Sequence, residues 1–329
     1  MVKVAVIGDG GWGTTLAIHL NRKKCFVCLW SVSAEYAEYL NVYRENKKFL
    51  PDVPIPKNIE ITSDIAGALE NAEYVVLAVP AQYMRSVLQQ IKGCEIKNRI
   101  FISVAKGIEL KSLSRMSEVI AAELPDATMA ALSGPSIANE VVNRFPTAVV
   151  AAAGDLAVAR QVQQLFSSDY LRIYVSRDII GVELGGALKN IIAIAAGISD
   201  GLGFAANTKS ALITRGVVEI IRFGQSLGAE KETFQGLSGL GDIIVTCFSR
   251  QSRNRWFGEE IGKGRKCNDI LHDTEMVVEG VGTSESTYQF SRKIGVELPI
   301  ITEIYKVLYQ NKSPKNAVLA LMQRKPKLE

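Results

Sequence analysis

The chain has 329 residues, of which 47% are hydrophobic and 22% are charged. This balance is typical of a globular protein and excludes a disordered or fibrous class, while the length predicts two domains or one large α/β domain. The net charge of +4 is small and the basic residues are scattered among acids, which argues against nucleic acid as a partner.

The N-terminus and the cysteines both indicate a cytoplasmic location. The apolar run in MVKVAVIGDGG is too short for a signal peptide. Five cysteines, an odd number without regular spacing, argue against a disulfide framework. Cys25 and Cys28 form a CxxC, but CFVCLW is typical of a buried strand, on which positions three apart point to opposite faces. We therefore expect no metal site.

The first predicted elements are a buried strand from Val2 to Ile7 and a helix from Gly11 to Arg22. Between them Gly8, Gly10 and Gly13 form a G-x-G-x-x-G pattern, which allows a tight turn and close approach of the backbone to a pyrophosphate. The helix N-terminus adds free N–H groups. The pattern is weak alone and also fits a structural turn, but its position between the first strand and the first helix predicts a dinucleotide site.

The residues after the second predicted strand bear on which dinucleotide binds. An NAD site usually has an Asp or Glu there for the ribose hydroxyls, whereas an NADP site has an Arg for the 2′-phosphate. This chain has Ser31, Val32 and Ser33, with Glu35 slightly beyond. The basic run at residues 22–24 is near in sequence and slightly favours NADPH. The predicted cofactor is therefore NADP(H) or NAD(H).

Further strands are predicted at residues 25–30, 74–79, 99–104, 128–132 and 147–152, with helical stretches between several of them. Such alternation predicts a parallel, doubly wound sheet of the Rossmann type. After about Val175 long helical patterns follow and no further strand is predicted. We therefore predict an NAD(P)-binding α/β domain over residues 1–178 and an all-α substrate-binding and catalytic domain over residues 179–329.

A lysine is a better candidate proton donor than either histidine. His19 falls within the first predicted helix and is interpreted as a packing or surface residue, and His272 as a loop residue. In GGALKN, Lys189 and Asn190 interrupt an apolar helix. Apolar surroundings lower the pKa of a lysine, so Lys189 is a candidate to give a proton to a carbonyl oxygen as hydride arrives. The alternative is a lysine that extends to solvent.

Three further clusters place polar residues in an apolar or glycine-rich context. They are VAKG around Lys106, SGPS at residues 133–136, and GLGDIIVTCFSRQSRNR at residues 239–255. In the last of these, a serine, an arginine and an asparagine at 252–254 are candidates to bind a phosphate, and Asp242 is a candidate to orient the lysine in GGALKN. Taken singly, each cluster is explained equally well as a loop or a helix cap.

Together these residues resemble the bacterial-type glycerol-3-phosphate dehydrogenase [NAD(P)+] family. The strings that carry the resemblance are GDGGWGT, AVPAQ, AKGIE, SGPS, GGALKNIIAIAAGISDGLG, ALITRG, GLSGLGDIIVTC, SRNR and VEGVGT, which span nearly the whole chain in the family's order. The resemblance implies reversible NAD(P)H-dependent reduction of dihydroxyacetone phosphate to sn-glycerol 3-phosphate for phospholipid synthesis. It also implies a cytoplasmic homodimer without stable membrane insertion.

With the glycine pattern and the GGALKN string, the resemblance implies a set of site residues. The catalytic residues are Lys189, Lys106 and Asp242. The substrate-binding residues are Lys106, Gly134, Ser136, Lys189, Asn190, Asp242, Ser252, Arg253 and Asn254. The cofactor-binding residues are Gly8, Gly10, Gly11, Trp12, Gly13, Lys106, Ala138, Arg253, Val277 and Glu279.

Two alternatives stay open on the sequence. One is another lysine-dependent hydroxyacid dehydrogenase, related to 6-phosphogluconate or 3-hydroxyisobutyrate dehydrogenases. The other is a non-catalytic dinucleotide sensor. Many members of the family that the chain resembles carry one or two basic residues after the second strand, whereas this chain has Ser-Val-Ser at residues 31–33. The choice between NADPH and NADH therefore also stays open.

Overall fold

The computed structural model describes residues 1–326. The strands are β1 Lys3–Ile7, β2 Phe26–Trp30, β3 Glu45–Asn46, β4 Leu50–Pro54, β5 Glu60–Thr62, β6 Tyr74–Leu77, β7 Ile100–Ser103, β8 Thr128–Ser133, β9 Thr147–Ala152 and β10 Leu171–Ser176. The helices among them are α1 Gly11–Arg22, α2 Ala34–Tyr43, α3 Ile65–Leu69, α4 Met84–Ile91, α5 Met116–Glu123, α6 Ala138–Val142 and α7 Leu156–Phe166.

Helices alone follow the last strand within the described residues. They are α8 Ile179–Gly201, α9 Ala206–Ser226, α10 Lys231–Gln235, α11 Asp242–Phe248, α12 Arg253–Gly262, α13 Cys267–Asp273, α14 Glu279–Ile294, α15 Pro299–Tyr309 and α16 Pro314–Met322. A π-helical turn, Leu237–Gly241, leads directly into α11. The predicted α/β region followed by an all-α region is confirmed.

Most of the strands form one twisted sheet in the order β10-β9-β8-β7-β6-β1-β2-β5, and its neighbouring strands are parallel except for β8 and β9. That pair is antiparallel, with Ala131 opposite Ala152. This pair departs from the predicted parallel arrangement. The helix between the two strands, α6, has five residues and is too short to carry the chain back along the sheet, so β9 starts at the end where β8 stops. The small strands β3 and β4 form a separate antiparallel pair.

The central strand β1 is buried on both faces of the sheet. Val4 and Val6 pack into the core cluster that includes Leu16 of α1, whereas Ala5 and Ile7 pack into the cluster that includes Met84 of α4. Side chains alternate between the faces of a strand, so a strand covered by helices on both sides is apolar throughout. This burial explains why the run VKVAVI lacks alternation in the sequence.

Helix α8 is the core of the helical region. Each residue from Gly181 to Ser199 is buried, and α9, α11, α12 and α14 all pack around the helix. Among the described residues α8 is the one helix that is long and apolar enough to cross a membrane, but 89% of its most apolar window is buried inside the protein. Its hydrophobicity is therefore that of a core helix.

Helices α8 and α12 approach so closely that side chains at their contact points would collide. A Cβ added at Gly258 would lie 2.0 Å from the carbonyl oxygen of Ile194, and one added at Gly197 would lie 1.9 Å from that of Arg255. Both distances are far below van der Waals contact. The glycines therefore fix the position of α12, whose first turn contains Arg253 and Asn254.

Gly258→Ala is expected to lower the free energy of unfolding by about 1–3 kcal/mol, because the added methyl forces the two helices apart. Gly154→Ala is the matched control, since a Cβ there meets no atom within 4 Å, and its effect is expected to stay within about 0.5 kcal/mol. Urea unfolding monitored by circular dichroism measures both variants. Equal stability of the two would contradict the close-contact interpretation.

Candidate active site

The predicted glycine turn joins β1 to α1 at the carboxyl edge of the parallel strands. Gly8 has a φ of +118° and donates its backbone N–H to Trp30 at the end of β2, 3.0 Å away. A Cβ at Gly13 would lie 1.9 Å from the carbonyl oxygen of Gly8. The first turn of α1 carries no acidic residue, and its N-cap, Gly10, makes no side-chain hydrogen bond. No side chain of residues 1–326 therefore caps this end of the helix.

Residues far away in the sequence complete the surroundings of the turn. Gly11 lies against the backbone of Phe49, where a Cβ would be 2.5 Å from the carbonyl oxygen. The hydroxyl of Thr15 donates to the carbonyl oxygen of Ala138 at 3.3 Å, and Trp12 packs partly buried on the core of the sheet. The structure thus brings Ala138 beside the turn, as the predicted set of cofactor residues requires.

The three predicted catalytic residues are in direct contact. The Nζ of Lys189 donates to Oδ1 of Asp242, and the Nζ of Lys106 lies 2.7 Å from Oδ2 of the same carboxylate. The side chain of Asp242 is 0% exposed, that of Lys189 9% and that of Lys106 16%. One buried carboxylate therefore holds two ammonium groups, and the cluster retains one positive charge.

Sequence reasoning missed a fourth member of this cluster. The hydroxyl of Thr246 accepts a hydrogen bond from the Nζ of Lys189 at 2.8 Å and donates to the backbone carbonyl of Asp242 at 2.6 Å. Thr246 lies four residues after Asp242 on α11, so the two side chains share one face of the helix. The i, i+4 spacing of Asp242 and Thr246 is the feature of the sequence from which their shared site could have been predicted.

The motifs VAKG, SGPS and GGALKN meet at Lys106. Its Nζ donates to the carbonyl oxygen of Gly134 at 2.9 Å and contacts the hydroxyl of Ser136 at 3.2 Å. The side-chain amide of Asn190 donates to the carbonyl oxygen of Lys106 at 3.1 Å. These bonds hold the ammonium group of Lys106 at the mouth of the cluster.

The predicted phosphate-binding run lies at the start of α12. Ser252 is the N-cap, and its hydroxyl accepts from the N–H of Arg255 at 3.2 Å. The amide nitrogen of Asn254 donates to Oδ1 of Asn190 at 2.9 Å, and its oxygen accepts from the N–H of Gly280 at 2.9 Å. Asn254 therefore links α8, α12 and α14.

Arg253 is an exposed residue of the same region, and Glu279 is a half-buried one. The charge of Arg253 acts on Glu279, the first residue of α14. Oε1 of Glu279 accepts from the N–H of Ala81, 3.2 Å away, just beyond β6. Burial raises the pKa of Glu279 to about 7. Val277, also predicted to contact the cofactor, is exposed just before α14.

Burial controls the acidity of Lys189. Removal of the ammonium group from water lowers the pKa of Lys189, the attraction of Asp242 opposes this effect, and the charge of Lys106 adds to it, so that the pKa is about 8. A pKa near neutrality suits a group that gives a proton in one direction of a reaction and takes it in the other.

Neither histidine belongs to the cluster. The ring nitrogens of His19 lie 2.7 Å from the hydroxyl of Tyr170 and 2.7 Å from the carbonyl oxygen of Phe166, and burial lowers the pKa of His19 to about 4. The interpretation of His19 as a packing residue is confirmed. The interpretation of His272 as a loop residue was wrong, because His272 lies in α13. Its side chain is exposed.

Comparison with known families agrees with this geometry. A family model described as NAD-dependent glycerol-3-phosphate dehydrogenase N-terminus matches residues 3–159, and the corresponding C-terminus model matches residues 178–319. The chain belongs to this family. The predicted NAD(P)-dependent oxidoreductase class is thereby confirmed, and neither the hydroxyacid dehydrogenase nor the sensor alternative is favoured.

Curated relatives and solved structures match over the full length. The chain is 49% identical to glycerol-3-phosphate dehydrogenase [NAD(P)+] of Citrifermentans bemidjiense, covering 99% of this chain and 98% of the relative. It is 47% identical to the Chlorobium phaeobacteroides (strain BS1) protein of the same name, over 100% and 99% of the two chains. The crystal structure of glycerol-3-phosphate dehydrogenase from Coxiella burnetii superposes with a TM-score of 0.95 at 34% identity, covering 98% and 99%.

Proposed function

We propose that the chain reduces dihydroxyacetone phosphate to sn-glycerol 3-phosphate with NAD(P)H, and catalyses the reverse reaction, supplying the backbone for phospholipid synthesis. The observation that carries the proposal is the contact of Lys189 and Lys106 with one buried carboxylate, that of Asp242. Lys106 follows β7 and the dinucleotide turn follows β1, so both leave the same carboxyl edge of the parallel strands, in a chain that belongs to the glycerol-3-phosphate dehydrogenase family.

The residues of the turn fit a dinucleotide. A Cβ at Gly8 or Gly13 would collide with the backbone of Ala78 or Gly8, so the tight turn requires glycine at both positions. A Cβ at Gly10 meets no atom within 4 Å, which leaves open space beside the N-terminus of α1, whose N–H groups are available for the phosphates. The proposed cofactor-binding residues are Gly8, Gly10, Gly11, Trp12, Gly13, Lys106, Ala138, Arg253, Val277 and Glu279. When bound, the nicotinamide supplies the hydride that the reduction requires.

The cluster supplies the proton. Lys189, in its ammonium form, donates a proton to the ketone oxygen of the substrate as negative charge develops there. Lys106 stabilises the same charge electrostatically, and Asp242 with Thr246 holds Lys189 in position. In the oxidation direction the neutral amine of Lys189 takes the proton from the hydroxyl group.

The start of α12 supplies the phosphate site. Arg253 is an exposed residue and its guanidinium carries no hydrogen bond to residues 1–326, so its N–H groups are available for a phosphate oxygen. The N-terminus of α12 adds backbone N–H groups beside Ser252. Both ends of the Asn254 amide already make hydrogen bonds within the protein, and these bonds orient Asn190 and the start of α14. The proposed contact of Asn254 with the substrate is made in addition to them.

Initial rates with dihydroxyacetone phosphate, measured with NADH and NADPH in parallel at 340 nm, test the proposed function. We expect turnover that requires the phosphate, with little activity on unphosphorylated dihydroxyacetone. Oxidation of 6-phosphogluconate or 3-hydroxyisobutyrate without activity on glycerol 3-phosphate would overturn the proposal. Tight dinucleotide binding without turnover of any of these substrates would support a sensor instead.

The two directions of the reaction are expected to respond oppositely to pH. Because the pKa of Lys189 is about 8, the ammonium donor needed for reduction is lost above pH 8, and turnover falls up to about tenfold per pH unit. Oxidation needs the neutral amine, so its turnover rises through the same range. Profiles of kcat in both directions measure this, and parallel profiles would contradict the role of Lys189.

The domain division, location and assembly also belong to the proposal. We propose an NAD(P)-binding domain over residues 1–178 and a substrate-binding and catalytic domain over residues 179–329, in a cytoplasmic homodimer that inserts into no membrane and binds no nucleic acid. The end of β10 at Ser176 and the start of α8 at Ile179 support the division. Analytical ultracentrifugation tests the assembly, with a dimer expected.

A further inference from the structure

An acidic side chain stands at the end of β2, although residues 31–33, directly after β2, contain none. Asp9 lies in the glycine turn, between Gly8 and Gly10. The hydroxyl of Ser31, the first residue beyond β2, donates to Oδ2 of Asp9 at 2.5 Å. Ser31 is itself 0% exposed, and its N–H donates to the carbonyl oxygen of Thr62 at 2.9 Å. Because Ser31 is held in place, its hydrogen bond also fixes the position of the Asp9 carboxylate.

The end of β2 is where dinucleotide-binding folds distinguish NAD from NADP. A carboxylate there binds the ribose 2′-hydroxyl and repels a 2′-phosphate. We propose that Asp9 supplies this carboxylate from the glycine turn and makes the chain prefer NAD(H) over NADP(H). This inference rests on the proposed dinucleotide site, and it reverses the slight preference for NADPH indicated by the basic run at residues 22–24.

Hydrogen bonds around Asp9 hold its backbone while its carboxylate keeps unused acceptor positions. The side-chain amide of Asn46 donates to the carbonyl oxygen of Asp9 at 2.6 Å and contacts the hydroxyl of Thr14 at 2.7 Å. The hydroxyl of Tyr36 donates to Asn46 at 2.7 Å. Within residues 1–326, the hydrogen bonds to the carboxylate of Asp9 come from Ser31 and from its own backbone N–H, and Asp9 is only partly buried. A carboxylate has about four acceptor positions, so it can also accept from a ribose hydroxyl.

The cations of this region do not form a phosphate site. Lys48 is close enough to act on Asp9 electrostatically, but its Nζ lies 2.8 Å from Glu275. Arg22 and Lys23 lie at the far end of α1, about 18 Å along the helix from the turn. Arg22 donates to the carbonyl oxygen of Val142 at 2.7 Å, and Lys23 to that of Gln164 at 2.9 Å. Arg22 and Lys23 therefore bind backbone carbonyl oxygens away from the turn and do not form a site for a 2′-phosphate.

Values of kcat/KM for NADH and NADPH, measured with saturating dihydroxyacetone phosphate at about pH 8, test the inference in Asp9→Asn and Asp9→Ala. We expect the unaltered chain to prefer NADH. We expect either substitution to lower the ratio of NADH to NADPH efficiency about tenfold or more, because a charged hydrogen bond to the ribose is lost and the repulsion of the 2′-phosphate is removed. A ratio is insensitive to the fraction of protein that folds.

Glu35→Gln is the matched control, because Glu35 is exposed in the first turn of α2, slightly beyond β2. Its ratio is expected to equal that of the unaltered chain. A preference of the unaltered chain for NADPH, an unchanged ratio in Asp9→Asn, or a shift in Glu35→Gln as large as that in Asp9→Asn would each overturn the inference. If the proposed function fails and no turnover occurs, the ratio of NADH to NADPH dissociation constants from fluorescence titration decides the same question.

Discussion

Lys189→Ala is expected to lower kcat by about 10³-fold or more while NAD(P)H binding stays close to that of the unaltered chain. The side chain supplies the proton to the developing alkoxide, and loss of a general acid typically lowers the rate by about 10²- to 10⁴-fold. Because this contact is made in the transition state, its loss lowers kcat. The dinucleotide turn at Gly8 to Gly13 is untouched by the change. Steady-state kinetics and nucleotide fluorescence titration measure the two quantities separately.

Two further lysine variants separate proton transfer from packing. Lys189→Met keeps an unbranched apolar stem in the buried site but carries no proton, so it is expected to be as inactive as Lys189→Ala. Lys263→Ala removes a lysine that directly follows α12, is 51% exposed and pairs with Glu259 and Glu260, and its turnover is expected to be normal. Near-normal turnover of Lys189→Ala would exclude Lys189 as the proton donor.

Asp242→Ala is expected to cost both activity and stability. The substitution leaves the ammonium groups of Lys189 and Lys106 buried without their shared counter-charge, and breaking a buried ion pair from one side typically costs about 3–5 kcal/mol. Without the attraction of Asp242 the pKa of Lys189 falls below about 8. The proton donor is then lost at a lower pH, so the pH profile of the reduction moves to the acid side.

The stability loss is expected to depend on pH with a definite sign. A lysine whose pKa is depressed in the folded state destabilises that state when it is protonated, so Asp242→Ala should recover stability as pH rises and Lys189 loses its proton. Urea unfolding between about pH 6 and pH 9 measures this trend. Asp273→Asn, which removes one partner of the exposed pair with Arg265, is the control and should change stability by less than about 1 kcal/mol. A smaller loss for Asp242→Ala at low pH would contradict the buried charge cluster.

Local patterns in the sequence were sufficient for most elements of the fold. The apolar runs of β1, β2, β6, β7, β8 and β9 all correspond to strands, because a strand covered on both faces must be apolar along its length. The short strands β3, β4 and β5 and the edge strand β10 were not predicted. They are short, or alternate with exposed residues such as Arg172, and their identity as strands depends on the partners with which they pair.

The separate motifs of the site were predictable from the sequence, but the contacts between them were not. Lys106, Lys189 and Asp242 stand out because each is a charged residue in apolar or glycine-rich surroundings. Thr246 and Asp9 do not stand out, since a threonine on a helix and an aspartate in a turn are both ordinary there. Their contacts, with Lys189 and Ser31, exist only in the folded chain.

The sequence alone determined that β1, the glycine turn and α1 follow one another, and that the second half of the chain is helical. These features depend on residues within one or two turns of each other. Only the tertiary structure decided that the carboxylate of Asp242 lies between Lys189 and Lys106, and that Asp9 rather than a residue after β2 supplies the acid at the end of that strand. Packing joins segments more than 130 residues apart in the case of Lys106 and Asp242. The resulting burial, which no local pattern contains, sets the pKa of Lys189 at about 8.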